Sequence, residues 1–187
     1  EQIHINTIYI LDGTKKEYEN IVELARKNRT EISGIRRGFR IEDKSLVLNC
    51  IYPKTPDYID SLNNSSLIMD IEYHDFHMLS MGDLEASGEQ KMLPYINQKS
   101  QQYNALKVSH HGSNTSTSEA FLSVVNPEMA IVSCGKNNPY GHPHKEVILR
   151  LQNSGCQILQ TRMSGCIDIH VNKNGKKKVT GFCKVND

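Results

Sequence analysis

The sequence carries no excess charge of either sign, with 22 Lys and Arg against 21 Asp and Glu for a net of +1. That balance excludes a global basic field of the kind that drives non-specific DNA binding, so any nucleic-acid contact must be local. Paired cysteines are lacking too. Cys50, Cys134, Cys156, Cys166 and Cys183 are scattered and nowhere form C-x-x-C, which argues against a disulfide framework or a zinc ribbon and makes each most simply a small core residue. No run approaches the roughly 18 consecutive apolar residues of a membrane helix, and no signal peptide, internal repeat or low-complexity tract is visible, so the chain as it stands reads as soluble. There is no G-x-S-x-G elbow, and Ser113 follows two histidines without an evident orienting carboxylate, which disfavours a serine nucleophile.

The 187 residues suffice for one α/β domain with a real core, since a chain of this size buries roughly 70% of its unfolded surface. It opens on Glu1 and directly into an alternating run, Ile3 to Ile10, and so reads as a piece of something longer. Thr14-Lys15-Lys16-Glu17 has capping-box spacing, and Tyr18, Ile21, Val22 and Ala25 mark an amphipathic helix over about 15–28. Ser45 to Tyr52 predicts a strand stopped by Pro53, with Pro56 in the loop beyond. Leu67 to Tyr73 and Phe76 to Met81 predict a hairpin turning at His74-Asp75. From residue 84 helices and strands alternate: a helix near Glu85 to Leu93, a strand Ala105 to Ser109, a helix from the capping box Ser116-Thr117-Ser118-Glu119, and a strand Met129 to Ser133. A helix with Pro143 in its first turn and Gly155 at its end, a strand Cys156 to Gln160, and a hairpin of Cys166 to Val171 with Val179 to Phe182 complete the pattern. Lys176-Lys177-Lys178, at that hairpin's tip, reads as a solvated turn.

Three polar clusters follow predicted strands, where an α/β fold places its site loops: Gly82-Asp83, Ser109-His110-His111-Gly112-Ser113, and Gly135-Lys136-Asn137-Asn138-Pro139-Tyr140-Gly141-His142-Pro143-His144. Singly, a Gly-Asp is commonly a turn or cap, and Gly-His-Pro-His could be a rigid turn with solvated side chains. Gathered at the same strand ends, a carboxylate and four imidazoles with no thiolate suit Zn or Mn and activation of water. His4, His74, His77 and His170 read as solvated strand or turn residues.

These clusters, together with Asn63-Asn64-Ser65-Ser66-Leu67, Gly82-Asp83-Leu84-Glu85 and Leu106-Lys107-Val108 before Ser109, are similar over roughly residues 45–172 to the metallo-β-lactamase-like domain of the ComEC family of DNA-uptake competence proteins. The resemblance implies an α/β fold, the four-layer αββα sandwich, of which this chain would be the C-terminal, larger part, a single truncated domain over 1–187. It implies one or two divalent metals (Zn or Mn) activating water against a phosphodiester, with DNA, single-stranded or duplex, as partner beside the membrane channel portion of the parent protein and no small-molecule cofactor. Asp83 and His110 resemble metal ligands, although which of His110 and His111 is the ligand stays open. His111, His142 and His144 look catalytic, with His142 meeting a phosphate oxygen or the leaving group. Ser113, Lys136, Asn138 and Asn64 look like substrate contacts.

The family's His-x-His-x-Asp-His segment should stand before residue 1, and this chain holds no such cluster. The expected function is thus that of a metal-dependent nuclease domain at the extracytoplasmic face of a bacterial membrane, inactive as this fragment because one Asp and one His rarely hold a metal. The rivals are a stand-alone secreted hydrolase of another phosphodiester or ester and a non-catalytic binding module. In the first reading Asp83, His110 and His142 converge in one cleft.

Overall fold

Apolar residues at every second position of successive short segments give each segment one face to bury, and the segments satisfy their backbone groups by pairing in order. In the computed structural model, which describes residues 4–14, 16, 18–55, 61–96 and 102–181, this produces a seven-stranded mixed sheet. Its strands are β3 (Arg40–Asp43), β4 (Leu46–Tyr52), β5 (Ile68–Tyr73), β6 (Phe76–Ser80), β7 (Ala105–Lys107), β8 (Met129–Val132) and β9 (Gln157–Gln160), in that spatial order. β3 to β6 run antiparallel, and β5 and β6 join through the expected turn with Tyr73 opposite Phe76. From β6 to β9 neighbours are parallel, which requires crossover connections. These are α2 (Ala86–Met92), α3 (Glu119–Val125) and α4 (Lys145–Asn153).

Leu79, Leu106, Ala130 and Ile158 are in register across the parallel strands and face the helices. There they pack in one core with Met92, Phe121, Leu122, Val147 and Leu151. The opposite face, with Phe76, Ala105 and Met129, is packed by Ile169, Val171 and Val179 of a two-stranded antiparallel sheet, β10 (Ile167–Val171) and β11 (Lys177–Gly181). A short helix α5 (Thr161–Ser164) leads into it. At the N-terminal end β1 (Thr7–Leu11), α1 (Glu19–Lys27) and β2 (Glu31–Ile35) form a parallel βαβ unit with its own sheet. Among the described residues no helix is long and apolar enough to cross a membrane.

Several local expectations shift. The helix near the N-terminus starts at Glu19, and the Thr14 hydroxyl donates to the Leu11 carbonyl at 2.6 Å instead of capping it; Lys15 and Glu17 of that capping box, like Pro56, Phe182 and Cys183, lie outside the described residues. Between the first predicted helix and the strand at Ser45, where no element is expected, β2 and β3 are strands with polar exposed positions. Ser118, not Ser116, caps α3, accepting from the Phe121 N–H at 3.3 Å, and the Ser116 hydroxyl donates to the carbonyls of Ser109 and Ser113. Pro143 precedes the first residue of α4 by two positions. Cys50 and Cys156 are buried as expected, whereas Cys166 is exposed. Lys177 is not merely solvated: it pairs with Glu128 beside β8, and its hydrogen bond holds the Glu128 carboxyl below its ordinary range.

Glu89 on α2 is fully buried. It accepts from the Thr117 and Ser118 N–H groups and from the Ser118 hydroxyl, tying α2 to the loop that follows the histidine cluster. Burial pushes its carboxyl above the usual value, while the bonds from Ser118 and Thr117 and the charge of Arg150 hold it partly down. Glu89→Ala should cost about 3 kcal/mol in chemical denaturation at neutral pH, because it leaves buried donors unmatched. In the wild type the folded carboxyl binds its proton more tightly than the unfolded one. This residue's contribution to stability therefore falls as pH rises from 4.5 through the folded value, and the variant should lose that slope.

Candidate functional site

Because β6, β7 and β8 run side by side in the same direction, the loops leaving their C-terminal ends meet along one edge of the sheet. Those loops carry Asp83, the His110-His111 pair, and His142 with His144. The backbone forces the meeting: Gly82 accepts at its carbonyl from the His110 N–H at 3.0 Å, and Gly112 accepts from the His144 N–H at 2.9 Å. Gly82 has φ +53 and a Cβ there would stand 2.9 Å from the Ser66 Cβ; Gly112 has φ +85 and a Cβ would stand 2.5 Å from that of Pro143. Both positions therefore require glycine. His110 and His111 are also left-handed, at φ 46 and 55, a conformation non-glycine residues adopt rarely and, where it persists, commonly at sites.

The imidazoles are held in distinct states. His111 Nδ1 lies 2.7 Å from the Ser133 carbonyl, which can only accept, so Nδ1 carries the proton. Its Nε2 faces Asp83 Oδ1 at 3.5 Å. His144 is set the other way: the Asn114 N–H donates to its Nδ1 at 3.0 Å, leaving the proton on Nε2. His142 is 9% exposed and packs edge-on against both His110 and His144, with ring centroids at 5.7 and 4.9 Å. Its pKa is pushed below the ordinary value first by burial and then by the positive potential of His144, His110 and His111, against an upward pull from Asp83. Asp83, His110 and His142 thus converge, as do His111 and His144.

The sequence-predicted substrate contacts divide. Lys136 is exposed on its loop. Asn138, by contrast, accepts from the His142 N–H at 2.8 Å and donates to the carbonyls of Gly135 and His142, so it braces its own loop. Ser113 is buried and shares a hydrogen bond with the Thr115 hydroxyl at 3.0 Å. Asn64 is fully buried, accepting from the Glu85 N–H and donating to the Ser87 hydroxyl at the start of α2. In this structure Asn138, Ser113 and Asn64 thus have polar atoms engaged within the chain. His4, His74 and His170 are exposed as expected, but His77 is only half-exposed and its Nδ1 is buried.

Three residues escaped the sequence reading as site members. Glu85 Oε1 lies 3.9 Å from His110 Nδ1 and accepts from Asn63, so His110 faces a second carboxylate. Lys107, a charge inside an apolar strand, donates to the Val108 carbonyl; burial lowers its pKa and Asp83 partly restores it. Tyr140 is 73% exposed and stacks on His142 with centroids 5.7 Å apart. With His111, Ser133, His142 and Thr161 it lines a hollow of about 370 Å³, and a second hollow of about 290 Å³ on the other side of Asp83 is walled by Leu11, Thr14 and Tyr18 of the N-terminal unit.

As a test of fit for a divalent cation, Asp83 Oδ1 and His111 Nε2 face each other at 3.5 Å, a separation that one ion with metal–ligand bonds of about 2.1 Å can bridge. The proton that His111 gives to a backbone carbonyl is the support a ligating imidazole ordinarily has. The donor set fits, with two ligands from this chain.

No protein-family model matches the chain. It is 38% identical over 150 residues to ComE operon protein 3 of Bacillus subtilis, a match covering 80% of this chain and 19% of that protein. It is 35% identical over 117 residues to competence protein ComA of Neisseria gonorrhoeae (62% and 16%) and 35% identical over 108 residues to recombination protein 2 of Haemophilus influenzae (58% and 13%). The matched stretch is thus about a fifth or less of each relative's length. Relatives with these names support a competence, ComEC-related family.

The ring states are checked by long-range ¹H–¹⁵N correlation of the histidine side chains at neutral pH. His111 should show the Nδ1–H tautomer and His144 the Nε2–H tautomer; the reverse assignment of either would remove the basis for their separate roles.

Proposed function

We propose that the chain is part of a metallo-β-lactamase-like phosphodiesterase domain that cuts DNA in a ComEC-like competence protein, at the extracytoplasmic face of a bacterial membrane. The reading rests above all on the Asp83–His111 pair, whose Oδ1 and Nε2 atoms face each other at 3.5 Å where parallel strands end. The helices on one face of the main sheet and the β10–β11 sheet on the other support the αββα arrangement. Of the two adjacent histidines, this geometry favours His111 as the ligand, while His110 faces Glu85.

A divalent cation, Zn or Mn, would supply Lewis acidity and a lowered water pKa when bound. Asp83 and His111 would hold it, and the Ser133 carbonyl keeps the His111 ring turned. His144 points a proton on Nε2 with Nδ1 fixed by Asn114, so it suits donation to a phosphate oxygen. His142, kept neutral by burial and by its neighbours, adds a hydrogen-bonding group without a competing charge. The hollows on either side of Asp83 give a strand room to pass.

Two ligands are fewer than the three protein ligands of an ordinary catalytic zinc site. At the Asp83–His111 pair the 187-residue chain should therefore bind Zn or Mn weakly, and it should show no chelator-sensitive cleavage of single-stranded or duplex DNA on gels. A longer form of the protein that supplies further metal ligands should cleave. In it Asp83→Asn and His111→Ala should abolish turnover, while His144→Ala should keep the metal and slow cleavage about 10²-fold. Undiminished cleavage by His111→Ala would contradict the assignment, and hydrolysis of small phosphodiesters but not DNA would leave only the chemistry.

A further inference from the structure

Along β5 and β6, roughly 13–20 Å from Asp83 at about 3.3 Å per residue along the strand, a second group of ligating side chains has no role in the site above. Glu72 and His77 are direct partners across the β5–β6 ladder, and Asp70 lies two residues from Glu72 on the same face. One ligand atom from each of the three lies within 4.8 Å of the other two. We propose that Asp70, Glu72 and His77 form a second cation site, for a divalent transition-metal ion such as Zn²⁺ or Mn²⁺, that is separate from the Asp83–His111 centre and does not depend on it.

Four observations carry this. Asp70 is 2% exposed, yet its Oδ1 is buried without a hydrogen-bond partner; only Oδ2 is met, by the Tyr103 hydroxyl at 3.3 Å. His77 Nδ1 is likewise buried and unpartnered. Two orphaned polar atoms of complementary type in one small cluster are rare in a folded protein, and a bound ion is one of the few things that resolves both at once. Next, no hydrogen bond or ion pair closes any side of the Asp70–Glu72–His77 triangle. Contacts longer than a hydrogen bond but within 4.8 Å are the span left when an atom sits between, and bonds of about 2.1 Å from a common centre fill it after small side-chain shifts.

The cluster is also built on rigid elements. The His77 N–H donates to the Asn104 side chain at 2.8 Å and its carbonyl accepts from the Asn104 N–H at 2.9 Å, while Glu72 Oε1 accepts from Asn49 at 3.4 Å. Finally, among the described residues no Lys or Arg forms an ion pair with Asp70 or Glu72. The Arg40 guanidinium, which shares Asn49 with Glu72, is engaged with Glu42. Two carboxylates and one imidazole without a thiolate select for the Mn²⁺ to Zn²⁺ series over Cu(I). The ion would pin the β5–β6 hairpin to the Tyr103 side of the core, far from the reacting edge.

The test is calorimetric titration of the 187-residue chain with Zn²⁺ and, separately, Mn²⁺, alongside thermal unfolding with and without each ion. An Asp83→Asn/His111→Gln double variant should retain one saturable site and the ion-dependent rise in Tm. Glu72→Gln and His77→Gln should each weaken that site by at least about 10-fold and lose the rise, with metal-free circular dichroism unchanged. Should His77→Gln fail to fold, Glu72→Gln decides, together with Mn²⁺ broadening of the wild-type His77 ring resonances in the Asp83→Asn/His111→Gln background. The proposal is overturned if the double variant has no saturable site, if Glu72→Gln binds as tightly as wild type, or if the cluster binds nothing and a water alone bridges it. Loss of binding in the double variant with retention in Glu72→Gln would leave the Asp83–His111 reading standing and remove only this one.

Discussion

Between β6 and β7 the main sheet changes from antiparallel to parallel pairing, and nearly everything proposed for the chain depends on that change. Antiparallel neighbours send their C-terminal ends to opposite edges; parallel ones send them to the same edge. With β6, β7 and β8 aligned, three loops far apart in sequence leave from adjacent points. A carboxylate from the first, imidazoles from the second and imidazoles from the third can then meet without a long excursion of any of them. The helices the crossovers require supply the core beneath, so the arrangement that collects the polar groups also buries Leu79, Leu106 and Ala130.

Collecting side chains is not enough for chemistry, because imidazoles are useful only when their protons are placed. The left-handed turn at His110, His111 and Gly112 does this. It costs on the order of 1–2 kcal/mol for each non-glycine residue and is offset by bonds on both sides: His110 N–H to Gly82, Ser116 to Ser109 and Ser113, and the Glu89 carboxylate gripping the residues just beyond. The result turns the His111 ring so that one nitrogen meets a carbonyl and the other meets Asp83. Glu89 and Asn138 touch no proposed reactant, yet each fixes a loop that does.

The strand order after residue 45 and the convergence of Asp83, His110 and His142 were legible in the sequence, because β-branched and aliphatic alternation marks strands and Gly-rich polar clusters after them mark site loops. Less legible was the direction of each polar side chain within a loop. Asn64, Ser113 and Asn138 carry the chemistry of substrate contacts and in this structure bond to neighbouring backbone groups and hydroxyls; nothing in residue type separates an amide that braces a loop from one that binds a phosphate. β2 and β3 were hidden because exposed edge positions such as Glu31, Arg40 and Glu42 break the alternation. Lys107 and Glu85 became visible only once the fold placed them beside Asp83 and His110.

The central claim is that Asp83 and His111, not His110, share one cation at the edge where the parallel strands end. Anomalous diffraction at the zinc edge, from crystals of the parent protein's domain grown with Zn²⁺, tests it most directly. The account requires a peak within about 2.2 Å of both Asp83 Oδ1 and His111 Nε2. A peak coordinated by His110 and Glu85, with His111 still bonded to Ser133 and no density between it and Asp83, would contradict it.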